Sequence, residues 1–268
     1  MGQGPVIALL TDYGDKDYFV ASVKAVILGI RPDAAIVDIS HSVDSFDVRQ
    51  ASHLLAGCYE YFPAGTIFIV VVDPGVGTGR RLLLVQTKKH FFIAPDNGVL
   101  SGALAQEKPE LIIEIMKRRF FLKSAGRTFD GRDRMAPVAA RLSLGHSPEE
   151  FGRRISKCMI LPSQMPRFSK SRIVGHIVSI DKFGNCLTDI PSGRVEEARR
   201  KYGTANISLT VKGKVARWRR TYGAGRRGEL IYLAGSQGTV EIAMKEDSAA
   251  AHLGASVGDP VVIRLGST

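Results

Sequence analysis

The sequence predicts an α/β protein with a layered α/β N-terminal domain and a smaller C-terminal all-β domain. Two patterns carry this reading. Through residues 1–160, short apolar runs alternate with stretches whose apolar residues recur at helical spacing, the rhythm of strands covered by helices. Residues 161–172, LPSQMPRFSKSR, lack apolar periodicity and read as a linker, after which short strands take over residues 173–268.

Residues 5–10, PVIALL, read as a first strand that stops at TDYGD. Residues 18–30 repeat apolar positions at helical spacing, and Arg31-Pro32-Asp33 ends that helix. A second strand at 35–39 leads through a polar segment to a helix from about Val48 to Tyr61. Residues 66–72 read as a third strand, with the β-branched richness of one covered on both faces. Further strands at 82–87 and 91–94 flank a Lys88-Lys89-His90 turn, and a helix over 130–140 and the stretch 144–160 finish the first region. In the second region, strands are expected at 175–180, 206–211, 229–233, 239–243 and 261–265.

Composition narrows the function classes. Of 268 residues, 44% are apolar and 24% charged, ordinary for a soluble globular chain. No run of about 18 uncharged apolar residues occurs, so no membrane span is expected. The start lacks a secretory signature, and Val6 stands where a myristoylation motif on Gly2 needs Ser or Thr, which makes the cytoplasm the expected location. Cys58, Cys158 and Cys186 form no CxxC pair and read as small buried hydrophobes. The six histidines show no metal-ligand spacing, leaving at most a scattered carboxylate site for magnesium. A net charge of +11 arises from basic pairs spread along the chain, without RNP, zinc-finger or helix-turn-helix patterns. No specific nucleic-acid partner is expected, only a solvated or nucleotide-facing basic surface.

The segment VVVDPGVGTGRR at 70–81 concentrates chemistry where a strand ends. It is neither a Walker loop nor GxGxxG. Asp73 either caps a tight turn or pairs with Arg80 to fix a water and set its protonation. Asp12, Asp38, Asp73 and Asp96 all follow strand runs, where a single acid commonly caps a helix or forms a turn. Because α/β ligands sit beyond the carboxyl ends of strands, four such acids point to a shared rim or to four local caps. RTFDGRD at 127–133 offers Phe129 as anchor with Asp130, Arg132 and Asp133 around it, although capping and local ion pairs explain it equally well. In the second region, Phe183 of DKFGN suits stacking on a heterocycle and Asn185 suits a polar contact, with a simple turn as the alternative. Ser236 in GSQG offers a hydroxyl to a carboxylate, or merely forms a turn.

Taken together, LLTDYG, VDISH, YFPAGT, VVDPGVGTGRR and APDNG closely resemble the S-adenosyl-L-methionine hydroxide adenosyltransferases, relatives of the enzymes that make 5′-fluoro- and 5′-chloro-deoxyadenosine. The resemblance continues through TFDGRDRMAPVAA, DKFGN, TYG and GSQGTVEIA and so covers nearly the full chain. It implies a homotrimer whose sites lie between the first domain of one subunit and the second domain of its neighbour. The implied reaction is attack of water or hydroxide on ribose C5′ of S-adenosyl-L-methionine, yielding adenosine and L-methionine without metal or redox cofactor. Carried onto this chain, Asp12 would grip the ribose hydroxyls, while Asp73 and Arg80 would orient and polarise the water. Phe183 and Asn185 would hold adenine or methionine, and Ser236 part of the amino-acid end.

Halogenating members carry tyrosine in place of the DPGVGT aspartate and an extra loop soon after. Here Asp73 is present and residues 81–95 leave no room for that loop, so the resemblance favours hydrolysis. Hydrolase members usually have TFHGRD where this chain has Asp130. Imidazole relays a proton near neutral pH and an ordinary aspartate stays anionic, so the expectation is retained hydrolysis with a changed pH profile. Asp130 would then accept from water, pair with Arg80, or share a proton with a second carboxylate. The alternative is a non-catalytic adenosyl-ligand sensor.

Overall fold

The computed structural model describes residues 5–123, 128–162 and 165–266. The first four residues, Arg127 of the RTFDGRD motif and two positions of the 161–172 segment lie outside the described residues. The chain divides into two compact units, Met1–Leu161 and Pro162–Thr268.

In the first unit the apolar runs become strands β1 (Val6–Thr11), β2 (Ala35–Ser40), β3 (Ile67–Val71), β4 (Leu82–Thr87), β5 (Phe91–Pro95), β6 (Pro109–Ile115) and β7 (Gly152–Arg154). They form one mixed sheet in the order β2-β1-β3-β5-β4-β6-β7. The pairs β1–β2, β1–β3 and β3–β5 are parallel, while β4, β6 and β7 add antiparallel. The helices are α1 (Phe19–Ile30), α2 (Val48–Ala56), α3 (Ser101–Gln106) and α4 (Ala136–Leu142).

Strand alternation sends side chains to opposite faces. Ile7, Leu9, Ile67, Ile69 and Val71 share an apolar cluster with Val23 and Ile27 of α1 and Val138 and Ala139 of α4. Ala8, Leu10, Phe68 and Val70 share another with Ala51 and Leu55 of α2 and Ala103 and Leu104 of α3. All five β3 residues are therefore buried, which is why that strand reads as an unbroken apolar run. Each such side chain contributes roughly 1.5–3 kcal/mol on burial, so a charge at Phe68 or Ile69 would unseat the strand that carries Asp73. Thr11 pairs with Val71, so β1 and β3 leave the sheet at the same edge.

Local departures from expectation have physical causes. The helix expected over 48–61 stops at Ala56 before Gly57, and Tyr59–Tyr61 is a separate 3₁₀ turn. The helix expected over 130–140 begins with a π-helical turn, Gly131–Met135, before α4. The short α3 and β6 are missed by sequence periodicity.

The second unit contains β8 (Arg167–Phe168), β9 (Arg172–Ile180), β10 (Cys186–Pro191), β11 (Ile207–Val211), β12 (Lys214–Trp218), β13 (Leu230–Ala234), β14 (Thr239–Met244) and β15 (Pro260–Leu265). Their order is β10-β14-β13-β12-β11-β15-β9-β8, and an additional β9–β10 pairing closes the sheet into a barrel. Burial alternates residue by residue along β9, with Ile173 and Ile177 in the core. The unit is β-rich rather than all-β, because it also carries α5 (Ser192–Tyr202) and α6 (Ala249–Leu253). Helix α5 buries only Val195 and Ala198, too few apolar positions to show a stripe in the sequence. Among the described residues no helix is long and apolar enough to cross a membrane.

Candidate active site

The shared edge of β1 and β3 sets the first cluster. Thr11 ends β1, and the backbone N–H of Asp12 donates to the carbonyl of Val71 at 3.4 Å. Beyond β3, Asp73 opens the glycine-rich turn. Its Oδ1 accepts the Gly75 N–H at 3.2 Å, while its Oδ2 accepts from Arg80 Nε at 2.7 Å. The turn-capping and pairing readings of Asp73 thus describe its two oxygens. The turn returns the chain to Arg80 through Thr78, whose hydroxyl donates to the Gly75 carbonyl at 2.6 Å and accepts the Arg80 N–H at 3.3 Å.

Arg80 also reaches across the unit, its Nη2 donating to Asp130 Oδ2. Arg134, one turn further along, holds the other oxygen of Asp130 at 3.1 Å. The side chains of Asp73 and Asp130 are each 5% exposed and that of Arg80 11%, so this is a buried ionic cluster rather than a surface pair. Burial disfavours the charge on Arg80, but hydrogen bonds and attraction from Asp73 and Asp130 outweigh it and raise the guanidinium pKa.

Asp12, Tyr13, Phe46, Asp73, Asp130 and Gly131 are among the residues lining a cavity of about 220 Å³. Asp12 Oδ2 accepts the Phe46 N–H at 2.9 Å. Tyr13 packs its ring against Phe19 and Phe129, with centroids 5.5 and 5.7 Å away. Burial first, then the charges of Asp12, Asp73 and Asp130, drive the Tyr13 phenol pKa well above its ordinary value, with Arg80 opposing in part. Its hydroxyl therefore stays protonated as a donor beside acids. A Cβ on Gly131 would stand 2.7 Å from the Tyr13 hydroxyl and 3.3 Å from Val71, so a larger residue here would displace the Tyr13 ring or the turn. The π-helical turn that follows Asp130 is the kind of irregularity frequent at functional sites.

The shared-rim reading of the four acids needs correction. Asp12 and Asp73 line the cavity; Asp38 instead contacts Lys24 and His41, and Asp96 is held by Arg81 and by the Met159 N–H at 2.6 Å. A basic residue within reach of each claims it locally. RTFDGRD divides in the same way. Asp130 faces the cavity, whereas Asp133 pairs with Arg132 at 2.7 Å and Arg132 covers the Phe129 ring.

In the second unit Asp181 organises its own loop. Oδ1 accepts the N–H groups of Phe183 and Asn185, each at 2.9 Å, and Oδ2 accepts from Asn185 Nδ2 at 2.9 Å. Gly184 has φ +80°, and a Cβ there would lie 2.0 Å from Ser248 Oγ. Phe183, 66% exposed, and Asn185, 8% exposed, line a concavity of about 560 Å³ with Asp181, Tyr222, Met244 and Ser248. Ser236 is exposed in the turn before β14 and is not among the residues lining that concavity. Tyr222 donates to Glu241; burial first, and then this carboxylate, push the phenol pKa well above its ordinary value.

Sequence reasoning missed Tyr13, Arg134 and Tyr222 as site residues. The available signals were adjacency to Asp12, an i,i+4 relation to Asp130, and the tyrosine of TYG. A wider groove of about 780 Å³, lined by Arg81, Glu110, Arg154 and Lys157 among others, lacks the convergence of acids that marks the smaller cavity. Among the described residues no group of three or more His, Cys, Asp or Glu is placed to hold a metal ion.

Two family models match. The SAM hydroxide adenosyltransferase N-terminal domain covers residues 7–152, and the C-terminal domain of the same family covers residues 175–262. An (R)-S-adenosyl-L-methionine hydrolase from Salinispora tropica is 33% identical over 99% of this chain and 100% of its own. A protein of the same name from Thermus thermophilus is 32% identical over 95% and 98%. The crystal structure of an uncharacterized conserved protein from Thermotoga maritima superposes with a TM-score of 0.90 at 37% identity, covering 96% of this chain and 99% of that one.

Proposed function

This chain belongs to the SAM hydroxide adenosyltransferase family, and from that premise we propose that it hydrolyses S-adenosyl-L-methionine at ribose C5′, releasing adenosine and L-methionine. The observation that carries the reading is Arg80 held between Asp73 and Asp130 beside a cavity that Asp12 also lines. Asp12 keeps acceptor capacity beyond its bond to Phe46 and grips the ribose hydroxyls. Asp73 and Arg80 orient the attacking water, and Asp130 completes their geometry. The water oxygen bonds to C5′ as the C5′–S bond breaks and its electron pair neutralises the sulfonium. The proton lost from water passes through the carboxylates to solvent. Sulfur leaves as a neutral thioether, so no acid is needed at that end. Carboxylates in a water-poor cavity also favour the cationic substrate.

Phe183, Asn185 and Ser236 serve the adenine and amino-acid ends, in a homotrimer whose sites combine the first domain of one subunit with the second domain of the next. We likewise read the first unit as a layered α/β domain, residues 161–172 as the linker to a domain of residues 173–268, and the cytoplasm as the place of reaction.

Chromatography of S-adenosyl-L-methionine incubations across pH 5–9, with a chloride control, tests this. Equal amounts of adenosine and methionine, independent of chloride, are expected. A second reading has one observation in its favour: both oxygens of Asp130 are engaged by arginines. Tight binding of S-adenosyl-L-methionine without turnover would make the protein a sensor.

A further inference from the structure

A chain of polar contacts runs behind the cavity wall, through residues that the proposed reaction does not use. The Thr11 hydroxyl, in a residue 2% exposed, accepts the Tyr13 N–H at 3.2 Å and lies 2.9 Å from His41 Nδ1. His41 Nε2 is 3.0 Å from Asp38 Oδ1, in contact with the carboxylate but off the line of a straight hydrogen bond. Asp38 Oδ2 in turn meets Lys24 Nζ of α1 at 2.5 Å. The same histidine acts through its backbone, because its carbonyl accepts the Gly14 N–H at 2.7 Å. In the neutral ring, Nδ1 accepts the Thr11 proton and Nε2–H faces Asp38, so the carboxylate selects the tautomer that grips Thr11.

These contacts meet on one short turn. Residues 11–14 contain Asp12 and Tyr13, which line the cavity, and Gly14, whose φ of +66° ends the turn. Thr11 ends β1, and Asp38 and His41 lie at the end of the adjacent β2. We propose that His41 is a positioning residue: held by Asp38 and gripping the Thr11 hydroxyl, it fixes the turn over residues 11–14 and with it the aim of Asp12 and Tyr13. The consequence for turnover rests on the reading that Asp12 grips the substrate ribose; the consequence for the turn does not.

Amide hydrogen exchange and steady-state kinetics together test it. In His41→Ala and Thr11→Val the Tyr13 amide should exchange at least about tenfold faster than in the wild type. In His41→Asn, whose amide oxygen can accept from Thr11, it should return to within about threefold. Wild-type protection in His41→Ala, whatever Thr11→Val shows, or failure of asparagine to restore any, overturns the proposal. In kinetics, His41→Ala should raise KM for S-adenosyl-L-methionine about tenfold with kcat within about threefold, and should add nothing in an Asp12→Asn background. A fully additive loss in that background, or a fall in kcat alone, also overturns it. A wild-type protein that leaves S-adenosyl-L-methionine intact defeats the proposed function, and the exchange data then decide this inference alone.

Discussion

In the first unit Arg80 is seven residues from Asp73 and fifty from Asp130, and the three side chains meet only because the strand ends and the π-helical turn converge. In the second unit Asp181 satisfies Phe183 and Asn185 without leaving a five-residue loop. The first cluster exists only in the finished fold and places charge where water is scarce. The second is self-contained and leaves Phe183 in the open. This contrast teaches that the buried cluster is suited to acting on a reacting centre, and the local loop to offering contacts to whatever approaches it.

The largest effect should come from breaking the long-range cluster. Arg80→Met leaves two buried carboxylates without their shared cation and should cost about 3–5 kcal/mol of stability, read by urea unfolding. A cost below about 1 kcal/mol would erase the contrast, since the cluster would then behave like a surface pair.

That same distance explains what could be read from the chain beforehand. Asp73 and Arg80 stand together in one motif, so their pairing is legible in DPGVGTGR. Arg134 on Asp130 is written in the i,i+4 spacing but competes with ordinary helix pairing, and Tyr13 against Gly131 has no local trace at all. The strands of the first unit are legible because both-face burial makes continuous apolar runs, as in β3. Helix α5 is not, because the barrel needs only Val195 and Ala198 from it. The four-acid rim fails for a related reason: strand ends place acids near one edge, but Lys24 and Arg81 decide where Asp38 and Asp96 go.

Asp73→Ala comes next. It should lower kcat by about 10²–10³ while changing KM for S-adenosyl-L-methionine less than about threefold. The opposite split, a large KM defect at unchanged kcat, would move Asp73 to a binding role beside Asp12 and the second unit. Phe183→Ala should then show the complementary pattern, stability within about 0.5 kcal/mol of wild type and KM raised about tenfold. A fall in stability of several kcal/mol would mean that the loop is not self-contained.

The smallest effect compares one tyrosine from each region. Tyr13 and Tyr222 both have raised pKa values in the folded protein, chiefly through burial. A raised value contributes stability that is complete below the ordinary tyrosine range near 10 and is lost as pH rises through the folded value. Burial also raises the phenols of Tyr59 and Tyr232, so ultraviolet titration should find several phenols resisting ionisation above pH 10, one lost in Tyr13→Phe and another in Tyr222→Phe. If Tyr13 titrates normally, the charged cavity does not surround it.

The central claim is that the Asp73–Arg80–Asp130 cluster directs water at ribose C5′, and it is tested most directly by turnover of S-adenosyl-L-methionine in ¹⁸O-labelled water followed by mass spectrometry of both products. Adenosine carrying one ¹⁸O at its 5′ oxygen beside unlabelled methionine is the predicted result. Unlabelled adenosine, or cleavage at any bond other than C5′–S, would contradict it.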